Sequence, residues 1–378
     1  MKTHVLAGVP LLGLILLGAA PSNAEEKALV ITNQNAKSIT EYWTAERFRA
    51  AKPMPMPHVA PDATLRAEPP AAPGAKGESG AARAPTAQLR SAPLKLFAPG
   101  AAQQGVEREV LTPGAVGTFG AQYTSSRVFP MFAGSAAPFS ADRAYPYITI
   151  GKLFFTIGGD PFVCSASVIQ HRIVATAGHC VHSGTSAGFH DNWVFVPAFR
   201  DGTAPLLAWN WRAATVTGTW AFGGGSVPNA ADYAMIMFGD QSVSGRIFAL
   251  GDVTGWLGWQ TLSLAANHTS KLGYPCNLDR CQKMQDITSG AFRTVAPNNV
   301  EYGSDATGGS SGGPWVQNFQ LLQAGGGTGS NTGSNRVVGV TSYIYVPDDP
   351  KVQGASIPDG RWVNLLNTLC GLQAGNCL

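Results

Sequence analysis

Charged residues are scarce in this chain, and it contains no run of basic residues. Asp, Glu, Lys and Arg make up 13% of the 378 residues, and the formal net charge is +3. From Val128 onward, 13 basic residues stand against 14 acidic ones, so the basic excess lies in the N-terminal third. Without a cluster of Lys or Arg to bind phosphates, the sequence argues against a nucleic-acid partner.

Long hydrophobic runs are also missing, apart from one that extends from Val5 to about Ala19. This run is shorter than the ~20 apolar residues that a membrane anchor needs. Lys2 precedes it, and the small residues Ser22 and Ala24 follow it. This order predicts a signal peptide over residues 1–24. The mature protein is therefore expected to be secreted or periplasmic, without membrane contact after cleavage.

Large apolar residues are few between residues 52 and 100, where Ala and Pro dominate. Such a segment buries too little surface to offset the entropy lost on ordering. Residues 25–127 are therefore predicted to be a disordered pro-segment or linker, in which Tyr42 and Trp43 dock on a partner surface. The globular part is predicted to extend from residue 128 to 378.

Cysteine is absent before residue 164, and the six cysteines fall into local pairs. An even number in an exported chain predicts disulfides. Only His179-Cys180-x-His182 has close metal-ligand spacing, and no second such cluster accompanies it, so no metal is expected. The glycine-rich stretch 325–333 lacks nucleotide-binding spacing, so no cofactor is expected. The predicted pairs are Cys164–Cys180, Cys276–Cys281 and Cys370–Cys377.

Short β-branched and aromatic runs, separated by Gly, Asn, Asp and Pro, fill the globular part. They predict an all-β protein, either a sandwich or a pair of barrels. Only residues 359–369 have helical periodicity, with Trp362, Leu365, Leu366 and Leu369 on one face.

Two adjacent serines, Ser310 and Ser311, lie in the glycine-rich stretch DATGGSSGGPW. A serine hydroxyl becomes a nucleophile only beside a base that a third group orients. His179 follows an apolar strand in the sequence ATAGHC and is a candidate base. A disulfide from Cys180 to Cys164 would close a loop worth roughly 3 kcal/mol and hold this histidine in place.

These motifs resemble those of the chymotrypsin-like, or trypsin-fold, serine proteases. The match rests on TAGHC around His179, on Asp232 followed by the apolar run YAMIMF, and on GSSGGP around Ser311, in that chain order and at separations of 53 and 79 residues. The resemblance covers about residues 128–369. It implies two packed antiparallel Greek-key barrels, at about 128–245 and 246–378, with a short C-terminal helix.

The resemblance also implies a role for each matching residue. Ser311 would be the nucleophile, His179 the general base and acid, and Asp232 the group that orients the imidazole. The backbone N–H groups of Gly309 and Ser311 would form the oxyanion hole.

Ser310 also fits the GxSxG turn of α/β-hydrolases. In those enzymes the histidine follows the serine in the chain. The last histidine here is His268, so that order argues against a lipase or esterase.

Asp232 has competitors for the third position of the triad. It is preferred because it directly precedes an unbroken apolar run, where a strand would hold the carboxylate buried. The other candidates between His179 and Ser311 are Asp191, Asp201, Asp240 and Asp252.

Maturation is predicted from a resemblance to the bacterial glutamyl endopeptidase branch. The stretch SRVFP around Arg127 resembles that branch's mature start, and GYP at 273–275 resembles another of its elements. Cleavage after Arg127 is therefore expected. Ser310 stands where trypsin has the aspartate that pairs with the new N-terminus, so that activation switch is not expected here.

The residue preference of the enzyme stays open between basic, small and acidic side chains. Asp305 lies six residues before Ser311, where trypsin selects Arg or Lys, and Thr341 replaces the histidine of glutamyl endopeptidases. Ser342 and Tyr343 resemble the pair that binds substrate backbone as an added strand.

The sequence thus predicts a secreted monomeric zymogen of a serine endopeptidase that acts on proteins or peptides and also binds its own pro-segment. A catalytically inactive binding module on the same fold is the alternative.

Overall fold

The structure is a computed structural model. It describes residues 26–33, 39–59, 65–67, 77–89, 91–98, 121–128, 141–320, 331–345 and 351–378. The predicted signal peptide lies outside the described residues. Within these ranges, no helix combines the length and apolar character that crossing a membrane requires.

In the described stretches before residue 128, eight short elements precede the globular part. They are β1 (Leu29–Thr32), α1 (Ile39–Tyr42), α2 (Ala45–Ala50), β2 (Lys52–Pro53), β3 (His58–Val59), β4 (Ser79–Gly80), β5 (Leu94–Lys95) and β6 (Tyr123–Arg127).

Six antiparallel strands form a closed barrel, in the order β12, β10, β7, β8, β9, β13 and back to β12. The elements of this half are β7 (Ile150–Ile157), β8 (Asp160–Gln170), β9 (Ile173–Thr176), β10 (Asp191–Pro197), β11 (Thr203–Ala204), β12 (Trp209–Val216), α3 (Gly218–Ala221), β13 (Ala234–Phe238), β14 (Gln241–Val243) and β15 (Arg246–Phe248).

The strands of this barrel are largely apolar because most of both faces is buried. In β7, Leu153 and Phe155 point into the barrel interior, whereas Phe154 packs in a second cluster outside it. Successive side chains on a strand face opposite ways, so each face supplies one of the two cores. Lys152 is a fully buried basic residue of β7: its Nζ donates to Cys281 O at 3.0 Å, and burial lowers its pKa to about 7.

The second barrel is built from β23, β19, β18, β17, β20 and β21, paired in that order. Beyond β21 the chain continues to Tyr343, which bridges Gly354 of β23 and completes the ring. The elements are α4 (Leu250–Thr254), β16 (Gly258–Gln260), β17 (His268–Gly273), β18 (Gln285–Val295), β19 (Asn299–Gly303), β20 (Pro314–Gln317), β21 (Arg336–Val340), β22 (Ile344–Tyr345), β23 (Val352–Ser356) and α5 (Gly360–Leu372).

The all-β fold with two barrels and a C-terminal helix is therefore confirmed. The boundary expected near residue 245 lies in the β14–β15 hairpin between the barrels. Helix α5 begins after Asp359, whose side chain accepts the N–H of Arg361 and so caps the helix. Its four predicted apolar residues are all buried.

The expectation of a disordered pro-segment needs correction for the stretches that the structure describes. Strands β1 to β6 each add to a strand of the globular part. Trp43 and Phe48 are 4% and 1% exposed and pack against Phe154. Composition indicated that the segment cannot form its own core. It is instead ordered by the barrels, whose edges and apolar surface it covers.

Candidate active site

The glycine-rich loop holds Ser311 at the junction of the barrels. Gly309 and Gly312 have φ angles of +92° and +75°, in the left-handed region that favours glycine. A Cβ on Gly309 would lie 2.6 Å from Tyr274 O, and one on Gly312 would lie 2.6 Å from Ser165 O. Both glycines are therefore required by conformation and by close packing.

The predicted oxyanion donors are unpaired. Among the residues that the structure describes, the backbone N–H groups of Gly309 and Ser311 have no hydrogen-bond acceptor. Their neighbours in the loop are satisfied, since Ser310 N–H donates to Thr307 O and Gly312 N–H donates to Thr341 O. Two free N–H groups in one turn are available to an oxyanion.

His179 and Asp232 form a buried pair. His179 lies in the short 3₁₀ turn Gly178–Cys180 after β9, and Asp232 lies just before β13, which pairs with β9. Asp232 Oδ2 is 2.8 Å from His179 Nδ1, and Oδ1 accepts the His179 backbone N–H at 2.8 Å. The Asp232 side chain is 0% exposed and the His179 side chain is 3% exposed. The carboxylate therefore holds both the ring and the backbone of the histidine.

Asp232 has further partners that the sequence did not indicate. Ser342 Oγ donates to Asp232 Oδ2 at 2.6 Å, and the backbone N–H of Asp232 donates to Ser356 Oγ at 2.9 Å. Ser342 is predicted to bind substrate through its backbone, and its side chain in addition supports the acid. No local motif indicates this contact, because the two residues are 110 positions apart.

The other aspartates that competed for this role have different partners. Asp252 contacts His171, Asp240 pairs with Arg172, and Asp201 pairs with Lys283. Asp191 is exposed at the start of β10.

The reactive ends of the serine and histidine are buried but not joined. Ser311 Oγ and His179 Nε2 have no hydrogen-bond partner in the described part of the chain. The bond that would transfer a proton between them is therefore not formed in this state. Catalytic hydrogen bonds often tighten only when substrate is bound.

The disulfides match the predicted pairs. Cys164 is bonded to Cys180, Cys276 to Cys281, and Cys370 to Cys377. Cys164, Cys180 and His179 lie close enough together to suggest a metal cluster. Because the two sulfur atoms are bonded to each other, this group offers no thiolate to a metal ion.

A second histidine stabilises the backbone of His179. His190 Nε2 lies 3.0 Å from His179 O, and because that oxygen only accepts, Nε2 carries the proton. Burial lowers the pKa of His190 to about 4. The ring also stacks on Phe155.

We expect His190 to make the fold sensitive to acid. Its pKa is lowered on folding from 6.5 to about 4, so its stabilising effect is complete above pH 6.5 and is lost as pH falls towards 4. This shift corresponds to roughly 3 kcal/mol of unfolding free energy. In urea titrations, His190→Gln should be less stable than the parent at pH 7.5, and the difference should shrink by about that amount at pH 4. The exposed His268, changed to Gln, is the control, and an equal difference at both pH values would refute the expectation.

The candidate specificity residues do not all lie together. A small pocket beside the loop is lined by Ser304, Asp305, Ala306, Thr307, Ile344, Tyr345, Lys351 and Val352. Of the predicted residues only Asp305 belongs to this lining. Thr341 is 2% exposed and accepts the indole N–H of Trp315, and Tyr343 is fully buried with its hydroxyl on Glu301.

The pocket lining carries charges of both signs. Asp305 and Lys351 both line it. Burial lowers the pKa of Lys271 well below its usual value, and the nearby Asp305 opposes this shift.

The chain was compared with known proteins. No protein-family model matches it. It is similar to a glutamyl endopeptidase from Bacillus licheniformis, with 27% identity over 204 residues. That match covers 53% of this chain and 58% of the relative, so the chain spans a little over half of the relative's length.

Solved structures of proteases are similar as well. Protease Anisep from Arthrobacter nicotinovorans is 27% identical, with 59% of this chain and 96% of that one covered and a TM-score of 0.49. The thermostable serine protease AL20 from an extremophilic microorganism is 26% identical, with 60% and 98% covered and a TM-score of 0.49. The two-barrel fold, the order of the motifs and the curated relative confirm the predicted resemblance to the bacterial trypsin-fold serine proteases.

Proposed function

We propose that this chain is the precursor of a secreted serine endopeptidase with a Ser311–His179–Asp232 triad. The observation that carries the proposal is the buried His179–Asp232 pair beside a loop that presents Ser311 and two unpaired N–H groups. The resemblance to glutamyl endopeptidase supports the same reaction class.

In the proposed reaction, His179 Nε2 removes the proton from Ser311 Oγ as the oxygen attacks a peptide carbonyl. The tetrahedral oxyanion accepts hydrogen bonds from the N–H groups of Gly309 and Ser311. His179 then donates the proton to the amine, which leaves as the C–N bond breaks, and an acyl-enzyme remains. Water, activated by His179, hydrolyses the ester and releases Ser311.

Asp232 acts by fixing one tautomer of His179. The carboxylate accepts from Nδ1–H, so Nε2 is left without a proton and can act as the base. Ser342 Oγ and the His179 backbone N–H keep the carboxylate in place. As the imidazolium forms, the buried negative charge stabilises it.

Maturation would separate the pro-segment after Arg127, following export and signal-peptide removal. Arg127 ends β6, which pairs with β18, and its side chain forms an ion pair with Asp279. Val128 N–H donates to Met284 O at 2.9 Å. The Arg127–Val128 bond is thus part of a paired edge, and β6 must detach before a protease can bind it. The mature enzyme would act as a monomer on proteins or peptides.

The test is to map cut sites in a denatured protein mixture by mass spectrometry. The purified secreted chain should generate new peptides that the Ser311→Ala chain does not generate. The residue before each cut identifies the preference among basic, small and acidic side chains. Identical peptide sets from the two preparations would refute the protease and favour the inactive binding module.

A further inference from the structure

One stretch of the pro-segment, residues 53–59, crosses the face of the Ser311 loop. Met54 N–H donates to Val163 O at 2.9 Å, on the side of the first barrel. Ser310 Oγ lies 3.5 Å from Met56 Sδ, next to the nucleophile. Ile344 N–H donates to Pro57 O at 3.1 Å, on the side of the second barrel. The stretch therefore bridges the two barrels over the candidate active site.

The reactive groups beside this stretch are buried. Ser311 is 0% exposed, His179 is 2% exposed and Ser310 is 5% exposed. A nucleophile and a base that act on other proteins must be reachable from solvent. In the full chain they are covered, and Ser311 Oγ and His179 Nε2 have no polar partner in the described residues.

Apolar side chains hold both ends of the stretch. At its C-terminal end, Val59 is 2% exposed and packs with Tyr343, Tyr345 and Val352. Before it, Trp43 donates its indole N–H to Asn192 O at 2.8 Å and packs in the core between the barrels.

The direction of the stretch is opposite to that of a productive substrate. The side chain before the scissile bond would enter the pocket lined by Ile344 and Tyr345, whereas the leaving amine must face His179. A substrate therefore passes from the Ile344 side towards the Val163 side. Residues 53–59 pass from Val163 to Ile344, and β2 and β3 pair parallel with β8 and β22.

A reversed peptide binds without being cut. When its carbonyl carbon faces Ser311, its nitrogen points towards the pocket and away from His179, so the leaving amine receives no proton. The sequence KPMPMPHV also has proline at every second position from 53 to 57. Proline fixes φ and favours an extended chain, so little entropy is lost when the stretch binds.

We infer that residues 53–59 are an autoinhibitory strap that occupies the substrate cleft in reverse and keeps the precursor inactive. The inference rests on the proposed function, since it takes Ser311 as the nucleophile. It adds a mechanism of regulation: activity appears when the strap leaves the cleft, and the strap itself resists hydrolysis during storage.

The first test uses the full chain without its signal peptide and a fluorescent fluorophosphonate that labels activated serines. Val59→Asp places a charge in the apolar contact. Because the free energy from burying one valine corresponds to about a tenfold change in an equilibrium constant, the variant should favour the open state by about tenfold or more. Labelling at the mass of the uncleaved chain should be correspondingly faster. Val30→Asp, in β1 and 39% exposed, is the matched control and should label like the parent.

The outcomes separate the two proposals. Equal labelling rates for the parent and Val59→Asp, with both folded by circular dichroism, would overturn the strap. Absence of labelling even after the pro-segment has been removed would instead overturn the serine protease.

The second test does not depend on the folding of a variant. The synthetic peptide KPMPMPHV should inhibit the processed enzyme competitively and remain intact by mass spectrometry. The reversed sequence VHPMPMPK has the same composition and serves as the control, because its backbone would pair in the other direction. Cleavage of KPMPMPHV, or equal inhibition by both peptides, would contradict the reversed binding.

Discussion

Replacing Ser311 by alanine is expected to lower kcat for peptide hydrolysis by about 10⁶-fold. His179→Ala should cost about as much, and the double variant should be no worse than either single variant. The reason is that the two side chains act as one unit: the hydroxyl is no nucleophile without its base, and the base has no function without the hydroxyl. Initial rates on a peptide substrate, measured with processed enzyme, check this.

Ser310→Ala is the control for that experiment. Ser310 Oγ donates to Thr307 O at 2.7 Å and accepts from Gln353 Nε2 at 2.9 Å, so it supports the loop. Removing this hydroxyl should mainly lower the free energy of unfolding and should change kcat only slightly. If Ser310→Ala were as inactive as Ser311→Ala while remaining folded, or if the losses from Ser311 and His179 added, the assignment of the nucleophile would be wrong.

Asp232→Asn is expected to lower kcat by about 10⁴-fold, with little change in KM. An asparagine that donates its amide N–H to Nδ1 of His179 leaves the proton on Nε2, which then cannot accept one from Ser311. Ser342→Ala should have a smaller effect, because it removes one of the three donors to Asp232 and leaves the tautomer unchanged. Steady-state kinetics of the parent, Asp232→Asn and Ser342→Ala enzymes test this expected order of kcat values.

The chain offers a matched control for this second prediction. Asp252 contacts His171 at 3.0 Å, so it is another His–Asp pair, but it lies outside the site. Asp252→Asn should leave kcat unchanged. A wild-type kcat in Asp232→Asn, or a loss in Asp252→Asn as large as the predicted one, would show that the buried carboxylate does not orient the base.

Much of the fold and of the candidate site was predictable from the sequence, for a local reason in each case. The apolar runs identify strands because both faces of a barrel strand are buried, as Leu153 and Phe154 illustrate. Helix α5 follows from its apolar face and its cap at Asp359. The contact of Thr341 with the indole of Trp315 was not predictable, because the two residues are 26 positions apart and no local pattern links them.

The sequence by itself determined the residue types that chemistry needs and their order: His179, Asp232 and Ser311, the glycines of the serine loop, and the cysteine pairs. The glycines and the cysteine pairs follow from the φ angles that only glycine adopts readily and from short spacings, whereas the three triad positions follow from the resemblance to trypsin-fold serine proteases. Only the tertiary structure decided which side chains support Asp232 and where residues 53–59 lie. Both depend on contacts between residues more than 100 positions apart. This proline-rich stretch has no apolar pattern that would predict its place in the fold, because the surface that it covers orders it.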